Sequence, residues 1–74
     1  MARIETPKQK MNRLFTSWVR ELLHIKKLRE RDLADFLGVS QQSISRKMNG
    51  DAKWTLEDIT DICKFFGESY TIAP

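Results

Sequence analysis

The sequence is poor in the residues that carry most site chemistry: 74 residues hold one cysteine, one histidine, three glycines and two prolines. The lone Cys63 excludes an intramolecular disulfide, which suits a reducing compartment. Cys63 and His24 cannot supply the grouped soft ligands of a zinc site. Gly38, Gly50 and Gly67 stand singly, so no glycine-rich phosphate loop exists. No apolar run approaches the length of a membrane span, and nothing reads as a signal peptide; the expectation is a soluble, cytoplasmic chain. The acids Glu57, Asp58 and Asp61 read as a solvated helix face. His24, between apolar neighbours, reads as a surface or core-edge residue. No enzyme activity, cofactor, metal or small-molecule ligand is expected.

What the chain does have is charge, unevenly spread. The net charge is +3, but residues 1–31 carry +6, residues 32–54 balance, and residues 55–74 carry −3. Such a dipole turns a basic face toward a polyanion. At this length the chain is one small domain with a single modest core.

Apolar periodicity predicts helices throughout. Residues 1–5 read as a flexible arm. Thr6-Pro7 is a helix start, because Thr can cap and Pro at the first helical position gives up only an unused N–H. Met11, Leu14, Phe15, Trp18, Val19 and Leu22 then fall on one face, predicting a helix over 8–27. A second helix is predicted over 30–37. Thr55-Leu56-Glu57-Asp58 resembles a capping box, with Trp54 placed to staple onto Ile59. The helix that follows, 56–66, puts Leu56, Ile59, Ile62, Cys63 and Phe66 on one face, with Cys63 as a small core residue. The tail, 68–74, is too β-branched for a fifth helix and is expected to be extended, packed through Tyr70 and Ile72. The expected core is Leu22, Leu33, Ala34, Leu37, Ile44, Ile59, Ile62 and Phe66.

The stretch Leu33 to Gly50 is the most specific. Ala34 lets a second helix approach closely, and Gly38 can take φ > 0 and end its helix. Val39 is placed to plug the turn. Ser40 caps a third helix, 41–48, whose Ile44 and Met48 form an inward stripe. Asn49-Gly50 stops it. Gln41, Gln42, Ser45 and Arg46 face outward.

In register, Leu33, Ala34, Gly38, Val39, Ser40, Gln41, Gln42, Ser43, Ile44, Arg46, Asn49 and Gly50 resemble the helix-turn-helix of the phage repressor and Cro (XRE) family. The resemblance covers residues 15 to 67. It implies an all-α, four- to five-helix lambda-repressor-like bundle over 6–67, acting as a sequence-specific transcriptional regulator on double-stranded DNA. By resemblance, helix 41–48 enters the major groove and Gln41, Gln42, Ser45 and Arg46 contact bases. An amide can pair bidentately with adenine, and a guanidinium with guanine. Arg31, Ser40, Lys47, Asn49, Lys53 and Thr55 are the expected phosphate contacts. One domain reads half an operator, so a palindrome and a weak homodimer on DNA are expected.

The sequence departs from the family at three places. Lys47 stands where an apolar residue is usual and is expected to point outward. Met48 replaces an acid that pairs with an arginine on the first helix; Leu23 holds that partner position. Glu30 stands where a neutral phosphate contact is common, and is tolerable there if it pairs with Arg29 or Arg31. Two other functions fit the same fold: a protein-interaction module such as an antitoxin or anti-repressor, and an architectural DNA-binding component of a recombination complex.

Overall fold

Thr6 starts the first helix as its sequence predicts. Its Oγ1 accepts the Gln9 N–H at 3.2 Å, and Gln9 Oε1 accepts the Thr6 N–H at 2.9 Å. In the computed structural model, which describes residues 4–70, this is the first of four helices: α1 (Pro7–Ile25), α2 (Glu30–Leu37), α3 (Gln41–Met48) and α4 (Leu56–Phe66). The fold is all-α, with no strand among the described residues. Met1–Arg3 of the expected arm and Thr71–Pro74 of the tail, Ile72 included, lie outside the described residues.

The first helix stops two residues earlier than its periodicity predicts. Lys27 adopts φ 56°, and the N–H of Leu28 turns back to the carbonyl of Leu23 at 2.8 Å. This satisfies a helix-end carbonyl while Leu28 packs against the core. Gly38 (φ 72°) ends α2 in the same way, with the Val39 N–H on the Ala34 carbonyl at 3.0 Å. The chain then needs only Val39 and Ser40 before α3 begins. Val39 itself is largely exposed rather than plugging the turn, because the turn backbone faces solvent.

The core is built from Phe15, Val19 and Leu23 of α1, Leu33 and Ala34 of α2, Ile44 and Met48 of α3, and Ile62 and Phe66 of α4, together with Trp54. Leu22, Leu37 and Ile59, expected inside, are only half-buried and pack against this cluster. The inward line of α1 runs through 15, 19 and 23, so Leu22 flanks it. Cys63 is likewise half-buried. Leu56 is 80 % exposed, in the first turn of α4 beyond the reach of the other helices. Met48 and Leu23 are both buried in this core.

All seven aromatic residues connect into one chain of rings. Trp54 meets Phe15 edge-on at 5.4 Å, and Tyr70 meets Phe15 and Trp18 at 5.0 Å each. Trp18 continues to Phe66, then Phe65, then Phe36. Edge-to-face pairs of this kind add to plain apolar burial. Through Tyr70 the tail packs on α1. Trp54 also packs on α1 and is latched there: its Nε1–H donates to Thr16 Oγ1 at 2.8 Å and its backbone N–H to Asn12 Oδ1 at 3.2 Å. The latch pins the loop between α3 and α4 against α1.

Candidate nucleic-acid interface

The surface begins with α3 and the cap that holds its N-terminus. Ser40 Oγ accepts the Ser43 N–H at 3.1 Å, satisfying one of the helix's orphan donors. Ile44 and Met48 face the core, and α2 packs closely across the helix. Gln42 and Arg46, four apart, are exposed opposite Ile44, and Gln41 is exposed in the first turn. Three long side chains with amide and guanidinium groups therefore stand on one rigid, half-supported helix.

Ser45 is placed differently from these three. It is half-buried, and its hydroxyl donates to Glu30 Oε1 at 2.8 Å. Glu30 thus finds its partner across the α2–α3 packing; among the described residues it pairs with neither Arg29 nor Arg31. The bond ties the middle of α3 to the first turn of α2 and takes up the hydroxyl's proton. Arg31, beside that first turn, is exposed.

Lys47 does not point outward as expected. Its Nζ lies 2.5 Å from Asp58 Oδ2 and 5.7 Å from the centroid of the Trp54 ring. Asp58 also completes the capping box of α4, whose cap is Thr55: its Oδ2 accepts the Thr55 N–H at 3.0 Å, and Thr55 Oγ1 accepts the Asp58 N–H at 3.0 Å. Partial burial pushes the Asp58 carboxyl up, but hydrogen bonds from Lys47 and Thr55 outweigh it, and its pKa lies below the ordinary 3.8. The lysine is drawn inward because α4 presents this carboxylate beside the Trp54 face, an arrangement of tertiary packing. Trp54, meanwhile, faces α1 rather than acting through a staple on α4 alone.

Asn49, Lys53 and Thr55 line the way out of α3 and into α4, all exposed. Asn49 continues the helix by donating its N–H to Ser45 O at 2.9 Å. Of the expected contact residues, Gln41, Gln42, Arg46, Arg31, Asn49 and Lys53 are thus exposed. Ser40 and Thr55 serve as caps, and Ser45 and Lys47 are engaged within the protein.

Arg20 is a residue that the helix-turn-helix pattern does not point to. Its Nη2 reaches the Met48 carbonyl, at the end of α3, at 3.4 Å. A signal was present in the polar stripe of α1, where Gln9, Arg13, Ser17 and Arg20 recur at spacings of four, four and three. At the other end of that stripe, Arg13 Nε donates to Glu5 Oε2 at 2.9 Å, and this bond holds the exposed Glu5 carboxyl below its ordinary value.

Among the described residues no group of acids, histidines or cysteines is arranged to hold a metal, and no helix is long and apolar enough to cross a membrane. No curated protein and no solved structure matches the chain. A family model does: the BetR domain, over residues 10–72, spanning all four helices but for the first turn of α1. The chain belongs to the BetR domain family.

Proposed function

We propose that the protein is a sequence-specific DNA-binding transcriptional regulator of the phage repressor or Cro type, with α3 as its recognition helix. The observation that carries this is the exposure of Gln41 in the first turn, and of Gln42 and Arg46 on the outer side, of a capped helix braced by α2. A helix of this diameter fits the major groove, and its N-terminal residues approach the bases most closely. Gln41 and Gln42 are there. Each amide can donate to N7 and accept from N6–H of adenine; Arg46, one turn on, can fork onto guanine. Arg31, Asn49 and Lys53 would hold phosphates on either side, fixing register and supplying affinity with little sequence information. The family match supports the same reading, BetR domains being regarded as helical and helix-turn-helix-like DNA binders.

A single domain covers about half a site, so two copies on a palindrome are proposed, weakly associated and paired mainly by the DNA. The contacts of Tyr70 with Phe15 and Trp18 favour a tail that packs within its own chain and leaves the free protein a monomer. No catalytic role is proposed. Site selection from a random duplex library is the deciding experiment. Recovered sequences should share a two-fold symmetric motif bound by two proteins, with a half-site bound far more weakly. Recovery of no common motif at low salt would refute sequence-specific reading.

A further inference from the structure

A second polar surface lies beside the C-terminal end of α3. A groove of about 480 Å³ runs between α1 and this end, lined in part by Gln9, Arg13, Ser17, Arg20, Asn49 and Gly50. Arg20 is positioned by its bond to the Met48 carbonyl and has no carboxylate within ion-pair distance among the described residues. A guanidinium carries five N–H donors in a planar fork, so one bond to Met48 leaves most of the fork unused. The acid on the groove, Glu5, is taken up by Arg13. The other polar side chains are three amides and two hydroxyls, of which that of Thr16 is already bonded to Trp54. This is a donor-rich, acid-poor concavity, suited to an anion with several oxygens.

The position of the groove says which anion. Asn49 and Gly50 line it and also terminate α3. If the N-terminal residues of α3 enter the major groove, its C-terminal end emerges where a phosphate backbone passes. We propose that this groove seats a backbone phosphate of duplex DNA, with Arg20 as its main ligand. The first helix then clamps the strand that flanks the recognition helix. This rests on the DNA-binding reading above.

The test is the salt dependence of binding to a 30-base-pair duplex, by fluorescence anisotropy, for the wild type and three variants. Losing one phosphate contact flattens the log–log slope by about 0.9, so raising salt from about 50 to about 200 mM costs the wild type roughly 3.5-fold more affinity than Arg20→Ala. Arg20→Lys should restore the slope, and the loss should be equal on selected and random duplexes, because a phosphate carries no sequence. Ser17→Glu, an exposed position outside the core, should weaken binding in the same way, and it keeps the test open if Arg20→Ala fails to fold. A wild type that binds DNA, with unchanged slopes and affinities in folded Arg20→Ala or in Ser17→Glu, overturns the groove alone. A folded wild type that binds no duplex overturns the DNA-binding reading with it.

Discussion

Thr16→Val offers the sharpest test of how the domain is held together. Thr16 is buried on α1, and its hydroxyl accepts the Trp54 indole N–H at 2.8 Å while donating to the Asn12 carbonyl at 2.9 Å. Valine keeps the β-branched shape, so the helix should be little disturbed. It removes the acceptor and leaves the indole N–H buried without a partner, at a cost of about 1–3 kcal/mol. The extra apolar methyl returns at most about 0.8 kcal/mol. Taken at the middle of that range, about 2 kcal/mol, the net loss should be about 1–2 kcal/mol. A domain of this size holds roughly 4–11 kcal/mol in all, and each kcal/mol moves the midpoint by about 4–8 °C. Thermal unfolding followed by circular dichroism should therefore show Tm falling by roughly 4–16 °C. The loss should shrink by about 1 kcal/mol or more when the substitution is made in Trp54→Phe, which has no N–H to strand. An equal loss in both backgrounds would refute the latch and assign the effect to α1 itself.

Ile44 is 1 % exposed on the inner side of α3, so Ile44→Ala should cost about 2–5 kcal/mol; an unchanged urea midpoint would show the helix to be packed in another register. Arg46→Ala should lose about 1–3 kcal/mol at one base pair of the selected site and relax preference there. Lys53→Ala should weaken all duplexes alike and flatten the salt slope by about 0.9, and indistinguishable behaviour of these two variants across an operator panel would sink the division of roles. Asp58 has its pKa lowered from 3.8, so its ionised form stabilises the fold; that contribution is present above about pH 4 and is lost as pH falls through the depressed folded value. Lys47→Met should shrink this acid-side loss in urea titrations between about pH 5 and pH 2, and an unchanged pH profile would show that the Lys47 bond contributes nothing.

Local rules account for much of the architecture. The caps at Thr6, Ser40 and Thr55 and the stop at Gly38 need only the hydrogen-bonding reach and backbone freedom of adjacent residues, so α2, α3 and α4 lie where the sequence puts them. The outward set of α3 was legible in part: Ile44 inward turns Gln42 and Arg46 out, and Gln41 is exposed in the first turn, but Ser45 and Lys47, also expected outside, are taken up by Glu30 and Asp58. The end of α1 was harder to place, because Lys27 takes a left-handed conformation that its residue type does not advertise.

By itself, then, the sequence determined the helices, their order and the exposure of Gln41, Gln42 and Arg46, because each depends on residues within a turn or two of one another. Tertiary structure decided which charges remain available on that surface. Lys47 is claimed by Asp58, eleven residues on; Ser45 by Glu30, fifteen residues back; and Arg20 reaches Met48 across twenty-eight residues. It also decided that Trp54 would bind Thr16 and that Leu22 would flank the core while Leu23 filled it. Pairings of this kind depend on how helices cross, and a crossing is fixed by the packing of the whole core, which no local window contains.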